Sequence, residues 1–197
     1  MREYYKIHSP SQEEEERIGA ALPVISRVPD GVRAQVVTAW CTVWRSSPYR
    51  SLERFPYSLD VPAYSLIQHT LEVVEIGEGL AGFARRRWGT KVDEAQLLAT
   101  LVLHGVDKPL LYAEGEYGVV LSETGRDIPH GVLGSLLLQQ LGLDGAIVGP
   151  VATYAIYSPW HGSSAAAWVL HYADFFCADH VMRDAGKRPF YPPKAYE

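Results

Sequence analysis

The chain begins polar and takes up a helical rhythm of apolar residues only from Gly31 onward. Val32, Val36, Val37, Trp40 and the Val43-Trp44 pair recur at three- and four-residue spacing, which predicts an amphipathic helix. Ser46-Ser47-Pro48 ends it, since proline has no N–H to continue the ladder. A loop rich in aromatics and prolines follows from Pro48 to Asp60. Asp60-Val61-Pro62 then reads as a helix start, with proline tolerated in the first turn. Leu66, Ile67, Leu71, Val74 and Ile76 form the apolar side of that helix, which runs to Trp88-Gly89. Val92 to Leu103 predicts another apolar helix, stopped around Lys108-Pro109. From Tyr112 to Asp127 the glycines at 115, 118 and 125 predict loop, with a small hairpin around Tyr117 to Leu121. Further helices are expected after Pro129 through Leu141, from Leu143 to Tyr157 with a bend at Gly149-Pro150, and from Ser163 to Ala185. Pro189, Pro192 and Pro193 make the tail a non-helical strap.

This order holds no βαβ alternation and no internal repeat, so the expected fold class is all-α, a helical bundle of five or six core helices. The expected organisation is an N-terminal arm over 1–30, a helical domain over 31–188 and a tail over 189–197. Within the arm, Ser11 followed by Gln12 and four glutamates predicts a short, solvated, capped helix.

Composition narrows the class. The 197 residues are 47% hydrophobic and 21% charged, with 5 Trp, 12 Tyr and 5 Phe, which suits a globular core and excludes disorder. No apolar run approaches the length of a membrane span, and the N-terminus carries no apolar signal core. Cys41 and Cys177 provide no disulfide framework and read as buried thiols, so a cytoplasmic protein is expected. A formal charge of −5 makes nucleic acid an unlikely partner. Neither common nucleotide-binding glycine loop is present, and nothing marks a serine or cysteine nucleophile. The Arg85-Arg86-Arg87 run reads as an exposed helix end. Oligomeric state is not legible.

Candidate chemistry lies where polar residues interrupt the apolar helices. His69 sits in LIQHTLEVV, His104 in LLATLVLHGVDK, His130 in DIPHGVLGSLLL, His161 in YSPWHGSS and Asp174 in WVLHYADFF. A polar group buried without a partner costs about 1–3 kcal/mol, and a bare carboxylate more. One metal ion would satisfy several of them together. Neutral imidazoles with a carboxylate suit zinc, iron, manganese or nickel.

The order His69, His104-Gly105-Val106-Asp107-Lys108, His130, His161 and Ala173-Asp174 resembles the HD-domain superfamily of metal-dependent phosphohydrolases over roughly residues 60–185. The resemblance implies an HD-type helical bundle in which His69, His104 and Asp174 hold one divalent ion with positions open for water. His130 and His161 would then contact substrate phosphate or a second ion, and Lys108 would be a cationic contact for phosphate. One departure bears on activity: Gly105 stands where the family has the aspartate of its His-Asp doublet. Without that bridging carboxylate a single ion is expected. The next carboxylate, Asp107, has three roles open to it: it reaches the metal, it orients His104, or it caps the break before Pro109. The first expectation is therefore hydrolysis of a nucleotide or other small phosphate ester, with Lys108 and Asp107 as catalytic candidates. The alternative is a degenerate module of the same type that binds a ligand or partner without turnover. Iron-dependent oxygenation is a third reading, which the missing bridging carboxylate disfavours.

Overall fold

A computed structural model describes residues 3–155 and 164–190. The expected all-α class holds: the chain is a helical bundle with one small antiparallel hairpin. Its helices are α1 (Gln12–Ala21), α2 (Asp30–Ser46), α3 (Leu66–Trp88), α4 (Glu94–Leu103), α5 (Lys108–Leu111), α6 (Glu123–Asp127), α7 (Val132–Gln140), α8 (Gly145–Thr153) and α9 (Ala165–Asp184). Strands β1 (Tyr112–Gly115) and β2 (Gly118–Leu121) pair in register Tyr112 with Leu121.

Local sequence sets the helix ends. Ser65, Asp93, Asp144 and Ser164 each accept a backbone N–H from the first turn that follows, which starts α3, α4, α8 and α9. The start expected at Asp60-Val61-Pro62 is corrected to Leu66. Residues 56–65 are held in a closed loop by Tyr57 N–H to Tyr64 O (3.1 Å) and Leu66 N–H to Phe55 O (2.7 Å), and Ser65 supplies the cap. The helix expected directly after Pro129 begins at Val132, because Gly131 adopts φ 83°, a left-handed conformation that glycine alone takes without strain. The helix expected over 143–157 is α8, with Pro150 inside it.

The amino-terminal segment departs from expectation in part. Ser11 caps α1 in a reciprocal box with Glu14, and the glutamates of the first turn are largely solvated. The rest of that segment is not peripheral: Ile18, Leu22 and Val28 are completely buried, and Val24 and Ile25 nearly so. Acidic positions on one side of α1 masked an apolar edge that packs on α2.

The buried stripes decide where the chemistry lies. On α3 the inward positions are Leu66, His69, Thr70, Val73, Val74 and Gly77, so His69 shares the core face. On α4 they include Leu97 and Leu101, and His104 follows one turn later at the helix end. On α9, Leu170, Ala173 and Cys177 are buried, with Asp174 on the same face. α3 packs along α9, and α4 lies against α3, α8 and α9. A Cβ at Gly77 would come within 2.7 Å of Leu101, so glycine there allows α3 and α4 the close approach that brings His69 towards His104. Among the described residues no helix is long and apolar enough to cross a membrane.

Candidate metal centre

Three side chains from three helices converge. One ligand atom each from His69, His104 and Asp174 lies within 4.8 Å of the other two, and this is the group among the described residues with metal-holding geometry. His69 Nε2 is 3.0 Å from Asp174 Oδ1, and His104 Nε2 is 3.8 Å from the same oxygen. Both imidazoles are completely buried, and Asp174 retains a side-chain exposure of 15%, which leaves the group an approach from outside. Tyr57 lies over His69 at 4.0 Å between ring centroids and holds the ring in place.

The tautomer of His104 is fixed by its surroundings. Nδ1–H donates to the carbonyl of Leu101 at 2.6 Å, so Nε2 carries the lone pair. That buried nitrogen has no hydrogen-bond partner among the described residues, and it faces a carboxylate oxygen that can only accept. Two acceptors turned towards each other require a donor or a cation between them, and a divalent ion supplies what both lone pairs lack. Two imidazole nitrogens and one carboxylate form the donor set of an open, three-ligand divalent site. The residues fit a metal.

Electrostatics favour the same protonation state. Burial, with the nearby charge of His69, pushes the His104 imidazole down to about 3 against the partial opposition of Asp174. Burial also lowers His69, and Asp174 opposes it less strongly. Burial would raise Asp174, but the hydrogen bond from His69 and the charges of His69, His104 and Lys108 outweigh it and hold the carboxyl down to about 2. Neutral imidazoles beside an ionised carboxylate are what a metal requires.

One consequence is a pH dependence of the metal-free protein. Folded His104 binds its proton only near pH 3, whereas an unfolded histidine does so near 6.5. The unfolded chain therefore binds more protons between those values, and stability should fall as pH drops from 6.5 towards 3. Thermal melts in chelator across that range should show a decline that His104→Gln makes shallower. Identical slopes for the two proteins would contradict the neutral, buried imidazole.

The remaining expected residues form a separate, adjoining network. Asp107 is buried and turned away from the triad: it accepts from His130 Nδ1–H (2.7 Å), Gly131 N–H (2.8 Å) and Gly134 N–H (3.0 Å). Of the three roles open to it in the sequence, the geometry is that of a structural anchor, set at the start of α7 rather than before Pro109. Burial would raise its carboxyl, but the charge of His130 and these hydrogen bonds hold it low. His130 Nε2 in turn accepts the Tyr154 hydroxyl, so both of its ring nitrogens are engaged within the protein. His161 lies outside the described residues. The buried Lys108 ammonium donates to the Tyr57 carbonyl (3.1 Å) and sits 4.0 Å from the Tyr57 ring centre. Burial lowers its pKa, and Asp174 and Asp107 oppose that. Lys108 is thus held in place beside the triad by Tyr57. At Gly105 a Cβ would lie 2.9 Å from Leu66 Cδ1, so the position the resemblance assigns to a carboxylate is filled by the packing of Leu66.

Sequence reasoning passed over the groups behind His69. Cys177 Sγ is 3.4 Å from His69 Nδ1 and donates to Glu72 Oε2 at 3.3 Å, and Tyr64 O–H donates to the same oxygen. The signal available was spacing: Glu72 follows His69 by three residues and Cys177 follows Asp174 by three, which places each on a ligand-bearing helix face.

No family model matches the chain, and no solved structure matches it. Among curated proteins it is similar to the dihydroneopterin 2′,3′-cyclic phosphate phosphodiesterase of Methanocaldococcus jannaschii, 27% identical over 124 residues, or 62% of this chain and 49% of that protein. The chain spans about half the length of that relative.

Proposed function

We propose that this chain is a metal-dependent phosphohydrolase of the HD type, acting on a nucleotide or another small phosphate ester, with one divalent ion held by His69, His104 and Asp174. The observation that carries the reading is the buried His104 Nε2, a lone pair without a hydrogen-bond partner aimed at the Asp174 carboxylate and joined there by His69. Similarity to a protein named as a cyclic-phosphate phosphodiesterase supports phosphate-ester chemistry.

Manganese, iron, nickel or zinc held by these residues would supply Lewis-acid polarisation of a phosphoryl oxygen and acidification of water. The chain's own residues do the rest. His104, pinned by Leu101, and Asp174, approached from outside, would hold the ion where a substrate can reach it. Lys108 lies at this end of the bundle, and its amine would offer an anionic ester a cationic contact when protonated. Asp107 orients His130, and His130 holds the Tyr154 hydroxyl, whose ring edge packs on His104 at 5.3 Å. In this arrangement Asp107 and His130 position the wall of the site. A substrate contact by His130 requires displacement of Tyr154.

The second reading, binding without turnover, has Gly105 in its favour, because Leu66 fills the space of the missing carboxylate. One assay separates the two. Protein stripped with chelator and reloaded in turn with Mn²⁺, Fe²⁺, Ni²⁺ and Zn²⁺ is tested on a 2′,3′-cyclic nucleotide, a linear phosphodiester and a phosphomonoester. At least one pairing should show hydrolysis that vanishes on stripping and is absent from His104→Ala. Full metal loading with no turnover of any ester would support the binding module.

A further inference from the structure

We propose that Cys177, backed by Glu72 and Tyr64, is a positioning residue that sets the tautomer of His69 and so presents its Nε2 lone pair to the metal, an inference that rests on the metal reading above. The argument follows hydrogen ownership. The Glu72 carboxylate has no proton to give: Oε2 accepts from Tyr64 O–H and from Cys177 S–H (3.3 Å), and Oε1 accepts from Gln68 Nε2–H (2.8 Å). While the thiol proton is directed to Glu72, Sγ is free to accept from His69 Nδ1–H at 3.4 Å. In that tautomer Nε2 is a lone pair, available to an ion in place of the hydrogen bond that the other tautomer gives Asp174 Oδ1 at 3.0 Å. The other tautomer makes Nδ1 an acceptor that competes with Glu72 for the thiol proton.

The relay gives His69 the state that the Leu101 carbonyl gives His104. With both set, two lone pairs and one carboxylate face a common point, which is the donor set a divalent cation requires. Such outer partners of a ligating histidine raise its basicity and hold its ring, and losing one typically costs about 10–100-fold in metal affinity. Cys177 has a place in this scheme although it is only 2% exposed, makes no disulfide and belongs to no C-x-x-C pair. Tyr64, Glu72 and Cys177 also line a cavity of about 400 Å³, so the relay has a solvent-facing side of its own.

The test is Zn²⁺ affinity, measured by competition with a chelating dye, on wild type, Cys177→Ala, Cys177→Ser and Glu72→Ala. Cys177→Ala and Glu72→Ala should each bind Zn²⁺ about 10–100-fold more weakly. Cys177→Ser keeps one donor and one acceptor and should recover most of the loss. Melting temperatures in chelator report packing alone, and the affinity order should not follow them. Wild type that binds one equivalent of Zn²⁺, with Cys177→Ala and Glu72→Ala binding it as tightly, would overturn the relay and leave the metal site standing. Glu72 is only half-buried, so its variant serves should Cys177→Ala fold poorly. Wild type that binds no Zn²⁺ would overturn the metal reading and the relay with it.

Discussion

His104→Ala should abolish stoichiometric metal binding, all metal-dependent hydrolysis and the rise in melting temperature that metal confers on the wild type. His104 contributes a buried imidazole lone pair without a hydrogen bond among the described residues, so its removal takes away a ligand and no structural bond except that to Leu101. A metal that binds only the folded chain stabilises it by about 4 kcal/mol at a thousand times its Kd. For a chain of this length that corresponds to a rise of about 8–16 °C. The variant should show none of it, and its melting curve should be the same with and without Zn²⁺. His171→Ala is the control: His171 Nδ1–H donates to the Tyr154 carbonyl at 3.0 Å and belongs to no ligand group among the described residues. It should keep full metal content. Equal metal retention by the two variants would contradict the ligand assignment.

Asp107→Ala should be the most destabilising of the single substitutions considered, yet should leave metal stoichiometry intact in the folded protein. The substitution strips His130 Nδ1–H and the buried Gly131 and Gly134 N–H groups of their shared acceptor, a fully buried carboxylate. Removing one member of a buried, hydrogen-bonded charge system costs about 3–5 kcal/mol, which lowers the melting temperature by about 6–20 °C for a domain of this size. Calorimetry with elemental analysis of the same sample checks both halves. A nearly unchanged melting temperature with lost metal would make Asp107 a ligand instead of an anchor.

These two residues also mark how far the sequence could be read. His104 and His69 are legible because each breaks an apolar stripe of regular three- and four-residue spacing, and a buried polar group there demands a partner. Asp174 follows from the same logic on the last helix. The structure brings the three together. Asp107 was open among three roles because its partners lie 23–27 residues away, at a helix start created by the positive φ of Gly131, which no periodicity announces. In the sequence Cys177 reads as a buried thiol, because it lacks a second cysteine at metal spacing. Its hydrogen bonds to His69 and Glu72 arise only when α3 packs along α9. The start of α3 moved from Asp60 to Ser65 for a similar reason, since a proline turn and a serine cap look equally good locally and the backbone bridge across residues 56–65 decides between them. The core edge of α1 was hidden by charge, as glutamates on the solvent side outweighed Ile18 and Leu22 in a purely local view.

The most direct test of the central claim is the zinc-edge X-ray absorption fine structure of the protein loaded with one equivalent of Zn²⁺. The account predicts a low-coordinate shell of nitrogen and oxygen at about 2.0–2.2 Å, with the outer scattering of two imidazole rings and no sulfur. A shell of oxygen alone, a shell with a single imidazole, or sulfur at about 2.3 Å from Cys177 as a ligand would contradict it.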